Sequence, residues 1–370
     1  MFEQGENASP FAERPMLVFW EATRACLLAC RHCRATAQRT PLPGELDTAE
    51  AKALLRQVRS FGVPSPVVVF TGGDLLMRPD IYELIEFARD IGLHTAAAPA
   101  ATELLDELAL RRLRDAGVHS ISLSLDAPGP AHDEIRGVEG TFDCTLSAAR
   151  NALSLGIGVQ INTVVMRRTL QTLPDVAALM VREGIPVWEV FFLIVTGRAL
   201  LDDALDPEEQ YAVAQFLLEA SRYDLLVRTV EAPFVRRALH EHERGDAPAP
   251  LALSLTERLH TLLGDPPHPV RMGRRGTLDG DGIVFVAYDG TVSPGGFLPI
   301  PLGNVRQDDL PSLYRSAPLL QRIRARDFLD SCGTCAYRNA CGGSRARAYA
   351  STGDPLASDP ACPFATRALG

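Results

Sequence analysis

The chain is almost without lysine: Lys52 stands alone among 37 basic side chains, and the rest are arginine. That bias is more readily a matter of genome composition than of function. Positive charge is also in short supply, since 46 acidic residues leave a net charge of -9 at pH 7. A nucleic-acid surface needs clustered Lys and Arg to displace counterions, so nucleic-acid substrates are disfavoured. Long apolar runs are missing too: none reaches the roughly 18 residues of a membrane helix. The N-terminus Met1-Phe-Glu-Gln-Gly-Glu6 is acidic rather than a basic signal region. These absences lead us to expect a cytoplasmic protein with no membrane partner. Cysteine is absent between 144 and 332, so most of the eight cysteines fall into tight clusters at the two ends. Clusters with metal-ligand spacing suit a reducing compartment better than a disulfide framework does.

What is present is long enough, at 370 residues, for a barrel-sized domain and a smaller one. From residue 15 to 200, short apolar runs alternate with amphipathic segments, the pattern of β-α units on a parallel sheet. Strands are expected at Met16–Glu21, Pro66–Thr71, His94–Ala98, Ser120–Leu125, Gly158–Val165 and Val187–Ile194. Ala51, Leu54, Leu55, Val58 and Phe61 recur at helical spacing after the capping pair Asp47 and Glu50. The fold class is therefore α/β, a partial (β/α)6 TIM-like barrel. Residues 1–14 read as a loose arm and 201–269 as a helical connecting region. From 270 to 370 the texture becomes glycine-rich, and Asp289-Gly290 marks a hairpin. A second, smaller domain is expected there.

Cys26, Cys30 and Cys33 form a C-x3-C-x2-C triplet directly after the first apolar run. Three thiolates can hold three irons of a 4Fe-4S cube and leave the fourth open to a small ligand. Zinc prefers four ligands, and only His32, inside the last turn, is at hand. At the other end, Cys332, Cys335 and Cys341 form C-x2-C-x5-C, and Cys362 follows. Four thiolates can close a second cluster or a structural zinc site, and spacing alone does not separate the two. Cys144, near the start of a helix, reads as a small buried residue. Strand four alternates polar with apolar residues, so Ser122, Ser124 and Asp126 share one face, and hydroxyls inside a barrel suit a ribose.

The triplet resembles that of the radical S-adenosylmethionine (radical SAM) enzymes, and further segments extend the likeness. Gly72-Gly73-Asp74 is similar to the family's Gly-Gly-Glu motif, which implies contact with the methionine amino group. His132-Asp-Glu-Ile-Arg136-Gly137 resembles the His-Asp-x-x-Arg-Gly signature, whose arginine pairs with the methionine carboxylate. The same resemblance sets His32 near the adenine, Ser124 in the cofactor pocket, Asn162 beside it, and the backbone of Leu193 against the adenine. The C-terminal cysteines, with Gly342-Gly343-Ser-Arg345, resemble a SPASM/twitch-like domain carrying an auxiliary 4Fe-4S cluster. Departures matter: Ser293-Pro-Gly295-Gly296 lacks the cysteine of a first auxiliary cluster, and Arg345 stands where another cysteine would be. Gly296 also lacks the acidic base of the sulfatase-maturing branch, which argues against that branch.

The resemblance thus implies two 4Fe-4S clusters, S-adenosylmethionine, and reduced ferredoxin or flavodoxin as electron donor. It points to oxidative modification, such as decarboxylation, of a tetrapyrrole side chain in haem-related biosynthesis, with maturation of a ribosomal peptide as the alternative. A non-catalytic electron carrier or redox sensor is the reading from another class. Such a protein would have no use for Gly72-Gly73-Asp74, Ser124 or Arg136.

Overall fold

The computed structural model describes residues 9–273 and 276–365. Six parallel strands lie where the apolar runs predict them: β1 (Leu17–Glu21), β2 (Val67–Thr71), β3 (His94–Ala97), β4 (Val118–Ser124), β5 (Gly158–Val165) and β6 (Val187–Phe192). Between them run α1 (Thr48–Arg59), α2 (Ile81–Asp90), α3 (Glu107–Ala116), α4 (Pro130–Arg136), α5 (Thr141–Ser154) and α6 (Leu173–Glu183). The helices form for local reasons. Asp47 and Glu50 close a reciprocal capping box on α1, and Leu54, Leu55 and Val58 are buried one turn apart. The strands alternate as a half-polar barrel requires. Val18, Trp20, Val68 and Phe70 are buried in the core, with the rings of Trp20 and Phe70 5.6 Å apart.

Three features depart from expectation. A seventh parallel strand, β7 (Leu226–Val230), pairs with β6 inside the region expected to be helical. Short strands follow: β8 (Leu278–Asp279), β9 (Gly282–Val286), β10 (Thr291–Ser293) and β11 (Gly303–Asn304). Of these, β9 pairs in parallel with β1, Leu17 opposite Ile283, so the sheet runs on across position 270 in the order β11-β10-β9-β1-β2-β3-β4-β5-β6-β7. Residues 1–8 of the expected arm lie outside the described residues. Residues 9–14 are tied down: the Phe11 carbonyl accepts from Tyr314 Oη at 2.8 Å, and the Ala12 carbonyl from Arg324 Nη1 at 3.2 Å. No helix among the described residues is long and apolar enough to cross a membrane.

Candidate active site

The cysteine triplet sits on the loop leaving β1, at the C-terminal mouth of the sheet where parallel folds collect their ligands. Three neighbouring turns grip its backbone. After β2, the amides of Gly73 and Asp74 donate to the carbonyls of Thr23 and Ala25 at 2.8 and 2.7 Å. After α4, the carbonyls of Ile135 and Arg136 accept from Arg31 and Ala29 at 2.8 and 3.1 Å. After β6, the Arg198 amide donates to the Cys33 carbonyl at 3.1 Å. Glycine is obligatory at these approaches. A Cβ on Gly72 would lie 2.3 Å from the Thr23 oxygen, one on Gly73 2.3 Å from that of Ala25, and one on Gly197 2.3 Å from that of Cys33. The close approach that Gly72 and Gly73 allow is thus to the cysteine loop itself.

Asp74, expected to accept from a ligand amino group, is buried at the end of this turn. Its carboxylate takes hydrogen bonds from the Leu76 amide (3.1 Å), the Ala100 amide (3.4 Å) and Thr102 Oγ1 (3.2 Å). It also caps the turn Leu75–Met77. Burial raises its pKa despite these donors.

Asp126, noticed in the sequence only as sharing a face with the serines, is the hub of the neighbouring pocket. It is fully buried, and Arg136 Nη2 lies 2.7 Å from its Oδ2. Its Oδ1 accepts from the Val164 amide at 2.9 Å, and its own amide donates to His132 Nδ1 at 3.1 Å. His132 and Arg136 of the His-Asp-x-x-Arg-Gly signature therefore both meet Asp126, one at its amide and one at its carboxylate, while Asp133 accepts from the Gly140 and Phe142 amides. Burial opposes that charge, but Arg136, His32 and His132 hold the Asp126 pKa below its ordinary value. A second Arg136 nitrogen donates to Cys30 Sγ at 3.7 Å. Around Cys33, burial is outweighed by the Ala37 amide and the Arg198 guanidinium, which lower the thiol's pKa. Cys26, more enclosed, is pushed up to about 11 by burial. Burial also lowers His32 to about 4, so the ring is neutral at physiological pH.

Several polar atoms here are sealed from solvent without a partner: His32 Nδ1, Arg136 Nε, and both Nε and Nη2 of Arg198. Each unpaired buried donor costs about 1–3 kcal/mol. Gathered beside three thiols, they fit a ligand rich in acceptors, as the methionyl carboxylate of S-adenosylmethionine is. Arg198 was legible only as part of a segment; its signal was a guanidinium placed next to Gly197.

Ser122 and Ser124 lie half-buried on β4, with their neighbours Ile121 and Leu123 buried in the core. Strand register places Ser124 beside Asn162, Asn162 beside Glu189, and Glu189 beside Arg228. Gln160 Nε2 donates to both Asn162 Oδ1 and Glu189 Oε2 at 2.8 Å. Burial raises the Glu189 pKa, a polar feature that alternation alone did not single out. Leu193 is half-buried in the turn past β6.

The C-terminal cysteines come together despite their spread in sequence. Cys332, Cys335, Cys341 and Cys362 all line one cavity of about 250 Å³, with Phe234 and Arg237 on its wall. Fully buried Arg345 braces it, donating to the carbonyls of Gly343, Pro355 and Ala357 at 3.2, 3.0 and 2.7 Å and to Cys332 Sγ at 3.7 Å. Burial pushes the Cys341 thiol up to about 12 and raises Cys362. Among the described residues, no three His, Cys, Asp or Glu side chains close on a single ion. Cys144 belongs to neither set. It is exposed rather than buried, because with Asp143 it lies on the outer side of the first turn of α5, whose Thr141 and Thr145 face inward.

A thiol triplet at the mouth of a parallel barrel, set against orphaned donors, defines the enzymes that cleave S-adenosylmethionine reductively, and the Radical SAM superfamily model matches residues 20–180. The chain belongs to that superfamily and is an enzyme of it. It is 35% identical to the AdoMet-dependent heme synthase of Nitratidesulfovibrio vulgaris, over 98% of this chain and 95% of that protein. It is 32% identical to the AdoMet-dependent heme synthase of Methanosarcina barkeri, over 94% and 96%. The fold is also that of Streptococcus suis SuiB bound to its precursor peptide SuiA, at a TM-score of 0.69 and 17% identity, covering 95% of this chain and 76% of that one.

Proposed function

We propose that this enzyme oxidatively decarboxylates carboxylate side chains of a tetrapyrrole in haem-related biosynthesis. The observation that carries the reading is the likeness to heme synthases along nearly the whole chain, including both cysteine regions. Likeness to peptide-modifying relatives is weaker, at 30% identity or below against 32–35% for the heme synthases, which makes peptide maturation the second reading. The orphaned donors around Cys33 weigh against a mere electron carrier.

When bound at Cys26, Cys30 and Cys33, the cluster and S-adenosylmethionine supply a 5'-deoxyadenosyl radical that removes a substrate hydrogen atom. The chain's own residues do the positioning. Arg198, with Nε and Nη2 both unpartnered, turns a guanidinium fork to the methionyl carboxylate, and Arg136 adds its free Nε. His32 and the Leu193 backbone flank the adenine, and Ser122, Ser124 and Asn162 meet the ribose. The rings of Phe191 and Phe297, 6.4 Å apart, and Phe285 under Arg34 wall the mouth against water. A propionate side chain that has lost a hydrogen atom becomes a vinyl group by releasing carbon dioxide and one electron. Cys332, Cys335, Cys341 and Cys362 would hold an auxiliary 4Fe-4S cluster, which would supply an acceptor for that electron, and ferredoxin or flavodoxin would supply the first electron. A cytoplasmic setting follows from the need to keep these thiols reduced. In this reading residues 15–200 activate the cofactor, 201–269 connect, and 270–370 carry the auxiliary site.

The test is anaerobic incubation of reconstituted enzyme with S-adenosylmethionine and a reductant. A carboxylated tetrapyrrole should accelerate 5'-deoxyadenosine formation, with a matching loss of carbon dioxide from the pigment mass. If tetrapyrroles do nothing while a peptide encoded beside the gene is altered, the maturase reading replaces this one. Methyl transfer to either substrate would overturn both.

A further inference from the structure

Two arginines flank the cysteine triplet in sequence, Arg24 two residues before Cys26 and Arg34 directly after Cys33, and the reaction above gives neither charge a task. Both reach one carboxylate. Glu21, the last residue of β1, is fully buried, and its Oε1 accepts from Arg34 Nη2 at 3.0 Å and its Oε2 from Arg24 Nε at 3.3 Å. Each guanidinium thus spends one nitrogen on Glu21, and among the described residues no acceptor takes the others. The two side chains stay open to solvent, 30% exposed for Arg24 and 21% for Arg34, so a ligand can reach them. One carboxylate cannot neutralise two guanidinium groups, and positive charge is left over at the mouth. Glu45 spends its carboxylate on Thr23 Oγ1 and on the Arg24 and Leu42 amides, at 2.8, 3.0 and 3.3 Å, and pairs with neither guanidinium. Asp279 also faces Arg34, but burial raises its carboxyl well above the ordinary range.

The surface beside this charge is aromatic. Arg34 lies 4.8 Å over the ring of Phe285 and 5.9 Å over that of Phe297, and Phe297 is in turn 6.4 Å from Phe191 on β6. Phe285 sits opposite Phe19, on the face of β1 that Glu21 shares two residues on. Phe191 and Phe297 are half-buried, so each keeps part of its ring open. The glycine at 296 keeps this surface clear: a Cβ there would already lie 3.3 Å from the Phe285 ring and 3.5 Å from Arg34 Nε, and a longer side chain would lie across both.

Cations beside flat apolar rings suit a ligand that is flat and apolar across its face and anionic at its rim. We propose that Arg24 and Arg34 bind a carboxylate of the substrate, and that Phe191 and Phe297 carry the flat ring system to which it is attached. This rests on the tetrapyrrole reading above.

The experiment measures binding to the reconstituted holoenzyme, with iron counted in each sample, by fluorescence quenching of two metal-free porphyrins, one bearing four propionates and the other its tetraamide. Wild type should bind the tetra-acid more tightly. Arg34→Gln should weaken the tetra-acid about tenfold and leave the tetraamide nearly unchanged, Arg24→Gln should do the same to a smaller degree, and Arg34→Lys should restore part of the loss. Glu21→Gln, which frees both guanidinium groups, should tighten the tetra-acid, an outcome that damage to the fold cannot produce. Phe297→Ala should weaken both porphyrins alike. A wild type that binds the two porphyrins equally, arginine variants that lose both alike or neither, or no gain in Glu21→Gln would overturn the carboxylate anchor alone. A wild type that binds neither porphyrin would overturn the tetrapyrrole reading and the anchor with it.

Discussion

The two cysteine sites are built on opposite principles. The N-terminal triplet is held by main-chain contacts from three separate turns, made possible by glycines, and nitrogens of His32, Arg136 and Arg198 beside it are left unpaired. The C-terminal set is braced by one buried side chain, Arg345, whose donors are spent on carbonyls. A site that must admit a ligand cannot spend its polar side chains on its own scaffold. A site with four thiols of its own can.

That contrast can be broken by substitution, and the largest effect should come from the glycines. Gly73→Val should drive the cysteine loop off the end of β2. Reconstituted protein should then hold about four iron rather than about eight, and 5'-deoxyadenosine formation should fall by at least about a hundredfold. Retention of both clusters would show that the loop tolerates the intrusion.

Arg345→Met should come next, because it strands three carbonyls, that of Gly343 buried and those of Pro355 and Ala357 half-buried. A loss of about 2–4 kcal/mol in chemical unfolding is expected, against little change for exposed Arg322→Met. Equal effects would remove Arg345 as the brace. Cys335→Ala should spare the first centre: about four iron should remain. Cleavage of S-adenosylmethionine should persist while formation of oxidised product drops at least about tenfold. A stoichiometric zinc in the untouched C-terminal site would instead sink the auxiliary-cluster reading.

A smaller effect is expected of Arg136→Lys. It keeps charge beside Asp126 but removes the unpartnered Nε, so S-adenosylmethionine should bind about tenfold more weakly by equilibrium dialysis while both clusters persist. Unchanged affinity would leave the carboxylate to Arg198.

The smallest concerns Glu50, whose carboxylate is held at about 2, first by Arg306 and then by the Asp47 amide. Its folded pKa lies below the unfolded value, so the pair stabilises above about pH 4.5, and that increment is lost as pH falls toward 2. Glu50→Gln should therefore shift acid unfolding slightly and leave neutral-pH stability lower by under about 1 kcal/mol.

Much of the site was legible because its chemistry is local. Cys26, Cys30 and Cys33 declare themselves by spacing, as do Gly72 and Gly73. The six strands follow from short apolar runs bounded by turns. What escaped was set by distant partners. Leu226–Val230 buries only Val227 fully, so nothing in its pattern separates it from the charged helices around it until β6 supplies an edge. The partnership of Arg136 with Asp126, and the commitment of Asp74 to Ala100 and Thr102, depend on chain segments brought together only by the sheet. Cys144 misled because a small thiol carries no sign of which way its helix faces.

The pairing of β9 with β1 has a mechanical meaning. The strand that delivers the first three cysteines is bonded along its length to one from the segment that carries the other four. The segments that carry the two sites are thereby fastened into one sheet and cannot drift apart there without tearing its hydrogen bonds.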